Sequence, residues 1–390
     1  MNRPIPERPR VLFLFSDTGG GHRSAAEAII EAMQADFASR FSLEMVDIFK
    51  QYAPPPLNFL PDLYPKIVRF PQAWGAGYYL SNGRSRSEIL ITSTWPYIRR
   101  STRKLIAQHP AELIVSVHPL ANTPVLKALG EVHTPFITVV TDLVTSHAFW
   151  YHRRVDLCIV PTEAARQRAF RHGLRPEQVQ VIGLPVAERF CQPDGDIAQI
   201  RARLGWPADL PVILLVGGGE GMGPLEKTAV AIDHARLPLA LVVVAGRNQQ
   251  LKQRLESLPW SSPTFIYGFV REMPDFMKAA DILVSKAGPG TITEAFNAGL
   301  PIILYSRLPG QESGNVEFVV SEGAGVWAPT TVQIIAALRC WHENPSMLAT
   351  AAQNARRLAN PHAAHQIAKI LVQRLESHWL TSSITRGIQP

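Results

Sequence analysis

Glycines and polar side chains follow several short apolar runs in this sequence, and each of these junctions could carry chemistry. The first is the segment 16–23, SDTGGGHR, which comes directly after the apolar run 10–15. A parallel strand that ends in glycines lets a ligand approach the backbone, so His22 is expected at the edge of a ligand site. An imidazole can remove a proton from a hydroxyl near neutral pH, and we therefore predict that His22 is a general base. The alternative is a histidine that only packs at the start of a helix.

A second junction is the segment 286–295, KAGPGTITEA, which also follows a short apolar run. Gly288 and Gly290 allow a sharp turn, and Thr291 can begin a helix whose free N–H groups suit a phosphate. Glu294 lies one turn into that helix, where its carboxylate could accept hydrogen bonds from ribose hydroxyls. Glycine turns are common in α/β proteins, so an ordinary strand-to-helix turn remains the alternative.

Three further loops follow predicted strands. The glycine-rich segment 216–223, VGGGEGMG, can present N–H groups to a diphosphate. Phe269 follows another apolar run and could pack near a flat base. Polar groups able to bracket sugar hydroxyls follow a third run and are Gln311, Glu312 and Asn315. Flexible or solvated loops are the alternative for each segment.

The chain alternates short apolar runs with helical patterns, which is typical of parallel α/β sheets. The run 10–15, a helix over 23–37 and a second strand over 41–47 form a βαβ unit. The stretch 191–210 holds a short helix flanked by prolines and is expected to be a hinge. We predict an α/β protein of two doubly wound Rossmann-like domains that face each other across a cleft. Further strands are predicted at 113–117, 136–140, 157–160, 179–182, 212–216, 239–244, 264–267, 282–284 and 302–305.

The composition describes a well-packed globular chain, with 46% hydrophobic and 18% charged residues. No apolar run approaches the roughly 18 residues of a membrane span, and the polar start predicts no signal peptide. The three cysteines are widely spaced and form no CxxC pair, which suits a reducing cytoplasm. The net charge of +7 lies mainly in residues 1–190, which carry +6. A basic half can indicate nucleic acid, an anionic membrane or solubility.

Residues 50–104 differ from the rest of the chain. Nine aromatic residues lie between Tyr52 and Tyr97, and eight lysines and arginines lie among and just after them. Aromatic side chains suit the interface of a bilayer, and basic residues near anionic lipids contribute about 1 kcal/mol each. We predict a docking surface for anionic membrane lipids and expect no nucleic-acid partner. The alternative is that many of these aromatics belong to the core of the first domain.

Metal and dinucleotide chemistry are disfavoured by the spacing of the candidate residues. Asp194 and Asp196 form a DxD pattern that could hold a divalent ion, but Asp196 directly precedes a helix and is a natural N-cap. The histidines of the first half lack the tight spacing of zinc ligands. The glycines at 19–21 lack the GxGxxG spacing, which disfavours an NAD-dependent oxidoreductase. We expect no metal and no cofactor.

With these motifs in place, the sequence resembles the monogalactosyldiacylglycerol synthase group of lipid glycosyltransferases. These have the two-domain GT-B fold and are related to the peptidoglycan glycosyltransferase that forms lipid II. The match runs in order over most of the chain but has no residue-level counterpart in 50–100, where we expect acceptor choice to be settled. It rests on SDTGGGHR at 16–23, TVVTDL at 138–143, GLPV at 183–186, KAGPGTITEA at 286–295, GLPIIL at 299–304 and PGQESGNV at 309–316.

The resemblance implies that UDP lies on the second domain, with Phe269 and Val270 at uracil and Glu294 at the ribose. His22 would lie near the acceptor hydroxyl, with Asp17 and Asp142 as further candidates. Lys286 stays open between contact with phosphate and pairing with a carboxylate. The remaining implied residues are Gly217, Gly218, Gly219, Gly288, Gly290 and Thr291 at the diphosphate, Gln311, Glu312 and Asn315 at the sugar, and Gly20 and Gly21 in the acceptor loop.

The resemblance also implies an inverting transfer of galactose or glucose from UDP-galactose or UDP-glucose to diacylglycerol, without a metal. The enzyme would be peripheral, at the cytoplasmic face of the membrane. Residues 1–190 would form the acceptor and membrane-facing domain and residues 191–360 the UDP-sugar-binding domain. Residues 361–390 would form a helix and tail that pack back toward the first domain. Transfer to a polyprenyl-linked or sterol acceptor and a UDP-sugar epimerase remain alternatives.

Overall fold

The computed structural model describes residues 8–18, 21–68, 70–132, 134–192 and 195–387. The chain divides into two compact units. Unit 1 comprises the chain up to Glu188 and the part from His362 onward, and unit 2 comprises Arg189–Pro361. The domain limits predicted from the sequence lie within about two residues of these boundaries.

Unit 1 contains a six-stranded parallel sheet in the order β2-β1-β3-β4-β5-β6. The chain winds outward from the neighbouring strands β1 and β3 in opposite directions, so the switch point of the sheet lies between them. The strands are β1 (Arg10–Phe15), β2 (Ser42–Asp47), β3 (Leu113–Ser116), β4 (Phe136–Val139), β5 (Leu157–Val160) and β6 (Val179–Val181).

Six helices accompany this sheet in the first part of the chain. Residues 50–104, which have no strand pattern, fold mainly into α2, α3 and α4. The helices are α1 (Gly21–Phe37), α2 (Leu60–Ile67), α3 (Pro71–Ser81), α4 (Arg84–Gln108), α5 (Pro119–Leu129) and α6 (Glu163–Arg171).

Unit 2 contains a second six-stranded parallel sheet in the order β12-β11-β10-β7-β8-β9. Here the chain winds outward from β7 and β10, so these two strands flank the switch point. The three-residue edge strand β12 is too short to be recognised as an apolar run in the sequence. The strands are β7 (Val212–Val216), β8 (Ala240–Val244), β9 (Thr264–Tyr267), β10 (Ile282–Lys286), β11 (Ile302–Ser306) and β12 (Gly325–Trp327).

The helices of unit 2 connect its strands, and the last helix of the chain, α15 (Ala363–Gly387), belongs to unit 1 and packs along α1. The helices of unit 2 are α7 (Ile197–Leu204), α8 (Leu225–His234), α9 (Gln249–Glu256), α10 (Met273–Ala279), α11 (Pro289–Asn297), α12 (Ser313–Ser321), α13 (Thr331–Glu343) and α14 (Pro345–Leu358).

The sheet of unit 1 is buried on both faces, which explains why its strands are continuous apolar runs. Val11, Phe13 and Phe15 of β1 face a core that includes residues of α1 and α15. Leu12 and Leu14 alternate with them and face a second core with residues of α4 and α5. The polar residues that follow each strand therefore emerge at the carboxyl edge of a rigid layer.

No helix in the described part of the chain combines the length and apolar composition of a membrane span. The aromatic segment nevertheless exposes much of its apolar surface. Of its nine aromatic residues only Tyr78 is buried, at 7% exposure. The idea that many of these aromatics are core residues of the first domain is therefore wrong. The exposed ones are Phe59, Phe70, Tyr79 and Tyr97.

Candidate active site

His22 is the second residue of α1, where the chain leaves β1 at the switch point of unit 1. Its half-buried ring has Nδ1 2.8 Å from Oγ1 of Thr141. The ring also meets His118 edge-on, with 4.6 Å between centroids, and its centroid lies 6.0 Å from that of Trp150. The loops after β1, β3 and β4 therefore converge on this imidazole.

Burial controls the protonation of His22. It lowers the pKa of the imidazole from 6.5 to about 4, and a hydrogen bond to the backbone of Val117 opposes this only in part. The ring is therefore neutral at pH 7, which is the state that a general base requires. The same burial makes His22 a weaker base than free imidazole. The turnover of the enzyme should therefore begin to fall on the acid side only near this lowered pKa.

His118 follows β3, and its contacts fix its tautomer. Its Nδ1 accepts the backbone N–H of Leu120 at 3.3 Å, so the proton of the neutral ring lies on Nε2. Nε2 lies 3.0 Å from Oγ1 of Thr18 and donates to it. Burial, with His22 as a smaller cause, holds the pKa of His118 well below its usual value. His118 thus ties the loop after β1 to the end of β3 as a neutral donor.

Asp17 is already paired. Arg23 donates to both of its oxygens, from Nε at 2.6 Å and from Nη2 at 2.8 Å. The Nζ of Lys50 lies 3.7 Å from Oδ2. The Arg23 hydrogen bonds hold the pKa of Asp17 below its usual value. A carboxylate with two cationic partners is a poor proton acceptor, so the contacts favour His22 over Asp17 as the base.

Asp142 lies in the loop after β4 and is 5% exposed. It accepts a hydrogen bond from Nε1 of Trp150 at 2.7 Å. Because the fully buried Trp150 borders His22, Asp142 is connected to the imidazole through the indole ring. A direct role for Asp142 at the acceptor hydroxyl stays a prediction.

The glycine loop after β7 packs so closely on neighbouring backbone that Gly217 and Gly221 have no room for a side chain. A Cβ on Gly217 would lie 2.4 Å from the carbonyl oxygen of Met222, and one on Gly221 would lie 2.1 Å from that of Ala245. Gly218 has φ of +72°, which a residue with a side chain rarely adopts. The loop, which continues through Gly219, is therefore a closely packed and glycine-rich surface at the end of β7.

The turn after β10 lies beside this loop, because β7 and β10 pair along their length. α11 begins at Pro289 with Gly288 as its N-cap, and no side chain caps it. The N–H groups of Gly290 and Thr291 are therefore left for a ligand. A Cβ on Gly290 would meet nothing within 4 Å, so the space beside the first turn is open.

Glu294 is half-buried one turn into α11. Burial raises its pKa from 4.5 to about 7, and the positive charge of Arg189 offsets part of this effect. Within the described ranges its carboxylate forms no hydrogen bond or ion pair. A buried carboxylate is stabilised by donors, so Glu294 is well placed to accept hydrogen bonds from a ligand.

The start of α12 braces the turn after β10. Glu312 is 3% exposed, with Oε1 2.8 Å from Nζ of Lys286 and Oε2 accepting the N–H of Leu308 at 2.7 Å. Asn315 is 1% exposed and donates from Nδ2 to a backbone carbonyl of the turn at 2.9 Å. Gln311 is the partly exposed member of the predicted sugar-binding set. Sugar contacts by all three residues stay predictions, and burial disfavours them for Glu312 and Asn315.

Phe269 follows β9 and is 54% exposed. The guanidinium carbon of Arg247 lies 4.6 Å from its ring centroid, and Arg247 also pairs with Glu220 at 2.7 Å. Val270 beside it is half-buried. In the sheet β9 is separated from β10 by β7 and β8. The contact of Phe269 and Val270 with a base stays a prediction.

Two of the sequence predictions fall on residues outside the described ranges, namely Gly20 of the acceptor loop and Asp194 of the DxD pattern. Gly21 is the exposed first residue of α1. Asp196 caps α7 through Oδ1, which accepts the N–H of Ala198 at 2.9 Å. No group of three potential metal ligands occurs among the residues that the structure describes.

The sequence did not single out His118, Thr141 or Trp150 as neighbours of His22. His118 carries the signal that identified the other candidates, since it is a polar residue directly after a buried strand. Thr141 carries the same signal after β4. Trp150 lies eleven residues beyond β4, and only the fold of that loop brings it to the imidazole.

Family models match both parts of the chain. The model described as monogalactosyldiacylglycerol (MGDG) synthase matches residues 22–186, and that of the glycosyltransferase family 28 C-terminal domain matches residues 212–369. A probable monogalactosyldiacylglycerol synthase of Nicotiana tabacum is 39% identical over 370 residues, covering 92% of this chain and 69% of the relative. Monogalactosyldiacylglycerol synthase 1 of Arabidopsis thaliana is 38% identical over 380 residues, covering 94% and 71%.

Solved structures share the fold at low sequence identity. MurG of Acinetobacter baumannii has a TM-score of 0.61 at 18% identity, and the match covers 94% of this chain and 100% of MurG. The Anabaena protein Alr3699/HepE, solved with UDP-glucose, has a TM-score of 0.57 at 16% identity, covering 95% and 100%. These likenesses establish the GT-B fold.

Both family matches and the identities to the plant enzymes agree with the structure. Unit 2 carries the glycine turns, and unit 1 carries the histidine site formed by His22, His118 and Thr141. The chain is a glycosyltransferase of GT-B fold and belongs to the monogalactosyldiacylglycerol synthase family.

Proposed function

We propose that this enzyme transfers galactose from UDP-galactose to the free hydroxyl of diacylglycerol, with inversion at the anomeric carbon. The relatives are named for a monogalactosyl lipid product, which supports galactose over the glucose that the sequence left open. The observation that carries the donor side is Glu294, a half-buried carboxylate on α11, the helix that follows the glycine turn after β10 and begins without a side-chain cap. Ribose hydroxyls are donors that would satisfy it.

On the acceptor side, His22 removes the hydroxyl proton as the oxygen attacks the anomeric carbon. A new carbon–oxygen bond forms while the bond from that carbon to UDP breaks, and its electron pair moves to the diphosphate. N–H groups at Gly290, Thr291 and the glycine loop stabilise the developing charge. The neutral imidazole at pH 7 supports this role of His22. The absence of a metal requirement stays a prediction, and full activity in a chelating buffer is the expected result.

We also infer that α2, α3 and α4 dock the enzyme as a peripheral protein on an anionic membrane at its cytoplasmic face. On α4, Arg86, Leu90, Tyr97, Arg100 and Lys104 are exposed and share one face at helical spacing. An apolar centre flanked by basic residues suits an anionic interface. Large exposed side chains on the three helices and the turn before them include Phe59, Leu63, Ile67, Phe70, Tyr79, Leu80, Ile89, Leu90 and Tyr97.

The docking helices are tied to the loop that carries Thr141 and Asp142. The hydroxyl of Tyr78 on α3 donates to the carbonyl oxygen of Thr145 at 2.8 Å. The Oγ of Ser81 lies 3.1 Å from Nε2 of His147. The N–H of Ala148 donates to Asn82, the residue after α3, at 3.0 Å. A lipid acceptor that enters beside these helices would therefore meet a surface continuous with the histidine site.

The product assay tests the reaction directly. The enzyme is supplied in parallel with radiolabelled UDP-galactose and UDP-glucose and with mixed vesicles that contain diacylglycerol. We expect label from UDP-galactose in the organic phase, as one lipid that is absent when diacylglycerol is omitted. If label enters the organic phase only when a polyprenyl-linked or sterol acceptor is supplied, that acceptor would replace diacylglycerol in this proposal. Interconversion of UDP-sugars without organic-phase label would favour an epimerase.

Vesicle flotation tests the docking surface. Wild type should float with vesicles that contain phosphatidylglycerol and float less with phosphatidylcholine alone. The Phe70→Ser/Leu80→Ser variant should float less, because it removes two side chains that are 68% and 73% exposed. Val332→Ser is the matched control, since Val332 is 75% exposed on α13 of unit 2. Equal flotation with both vesicle types, or an equal loss in the control, would refute the docking surface.

A further inference from the structure

Lys286, the last residue of β10, lies between the two glycine turns of unit 2. The pairing of β10 with β11 shifts register between Ser285 and Lys286, an irregularity that re-aims the side chain at the strand end. The Cε atom of Lys286 lies 3.3 Å from the place of a Cβ on Gly218, and its Nζ lies 3.0 Å from that of a Cβ on Gly288. Both glycines therefore border the ammonium group closely.

Glu312 holds this ammonium in place. The two side chains are 18% and 4% exposed, and their charged atoms are 2.8 Å apart. The other oxygen of Glu312 accepts the N–H of Leu308 at 2.7 Å, which fixes the carboxylate. An ammonium has three N–H donors, and in the described ranges Lys286 uses one of them, toward Glu312.

The electrostatics of this arrangement favour a second anion. Removing an ion pair from water costs free energy that the attraction between its members offsets only in part. Lys286 also lies beside Gly288, the uncapped N-terminus of α11, where the partial charge is positive. Two positive groups side by side repel each other, and an anion that contacts both would relieve the repulsion.

We propose that Lys286 binds the diphosphate of the donor directly and that Glu312 is a positioning residue for its ammonium group. This inference rests on the proposed function, which supplies the diphosphate. When the bond from the anomeric carbon to UDP breaks, the electron pair moves to the diphosphate oxygen. Lys286 and the N-terminus of α11 stabilise that charge. Glu312 thus acts through Lys286 and does not contact the sugar.

Equilibrium binding of UDP and of uridine tests the role of Lys286, because the nucleoside lacks the phosphates. Lys286→Met should weaken UDP binding roughly 10- to 100-fold and leave uridine binding unchanged. The double variant Lys286→Met/Glu312→Gln leaves no unpaired buried carboxylate and should show the same selective loss. Lys227→Met, which removes an exposed positive charge from α8, is the matched control and should bind both ligands as wild type does.

Each outcome has a distinct meaning. If both variants lose UDP and uridine affinity equally, or lose neither, Lys286 is not a diphosphate ligand. If the wild type binds neither UDP nor uridine, the proposed donor site itself is wrong.

For Glu312, the comparison is between UDP and UDP-galactose. Glu312→Gln should change the two affinities by the same factor, because the residue acts through Lys286. A loss confined to UDP-galactose would show that Glu312 binds the sugar and would overturn its positioning role.

Discussion

The raised pKa of Glu294 predicts that donor binding depends on pH. Ribose hydroxyls donate to a carboxylate, so the ionised form of Glu294 is the form that binds. Its pKa of about 7 places the change of charge in the neutral pH range. The affinity for the donor should therefore fall as the pH is lowered through 7.

The magnitude follows from the ionised fraction. With a pKa of about 7, this fraction is about 0.9 at pH 8 and about 0.1 at pH 6. If only the ionised form binds, the dissociation constant for the donor should rise about tenfold between these pH values. Glu294→Ala should weaken binding by roughly 10- to 100-fold at pH 8, which is the usual effect of losing hydrogen bonds to a charged group.

Calorimetry with UDP-galactose is the appropriate assay. Both phosphates of this donor are esterified, whereas the terminal phosphate of UDP titrates near pH 6 and would obscure the effect. Glu294→Gln keeps an acceptor oxygen but cannot ionise, so its affinity should be independent of pH. Glu317→Gln, which alters an exposed carboxylate of α12, is the matched control and should retain the wild-type pH dependence.

Two results would refute the reasoning. One is a wild-type affinity that does not change between pH 6 and pH 8. The other is a Glu294→Gln variant that keeps the wild-type pH dependence, which would assign the titration to another group.

Two further predictions concern unit 1. His22→Ala should lower kcat by ~10²–10⁴ without changing UDP-galactose affinity, and near-normal turnover by the variant would exclude His22 as the base. The pH profile of wild-type kcat should show no inflection near pH 6.5, because the pKa of His22 is about 4. His22, His147 and His152, with folded pKa values of about 4 against 6.5 when unfolded, bind protons mainly in the unfolded chain, so unit 1 should lose stability as the pH falls from 6.5 toward 4. Glu294, with a folded pKa of about 7 against 4.5, has the opposite sign and should stabilise unit 2 as the pH falls from 7 toward 4.5. Hydrogen exchange of the intact chain, corrected for intrinsic rates, should resolve the two units, and parallel changes in both would contradict these assignments.

Most of the fold could be predicted from the sequence because the signals are local. β1, β5, β7 and β9 coincide with their apolar runs, and the other predicted strands differ by one or two residues at an end. The strand that was missed, β12, has three residues, of which two are only partly buried. The candidate residues after the strands were found by the same local signal, since parallel strands all end at one edge of a sheet.

The pairing of side chains could not be predicted, because it depends on which strands become neighbours. Lys286 and Glu312 are 26 residues apart, and His22 and Thr141 are 119 residues apart. Lys286 and Glu312 meet because β10 and β11 are neighbours in the sheet. His22 and Thr141 follow β1 and β4, which β3 separates, and they meet through the loops at the carboxyl edge of the sheet. The sequence predicted a sugar contact for Glu312 and left the role of Lys286 open between phosphate contact and pairing with a carboxylate. In the structure the two residues form a buried ion pair.

The sequence by itself determined where strands end, where glycine is required and which residues could do chemistry, because backbone conformation and apolar periodicity are properties of short segments. The tertiary structure decided what those residues can do. Burial makes His22 neutral and raises the pKa of Glu294. Arg23 forms an ion pair with Asp17. It also decided that most aromatics of residues 50–104 stay at least partly exposed, because whether an aromatic is core or surface depends on what the rest of the chain packs against it.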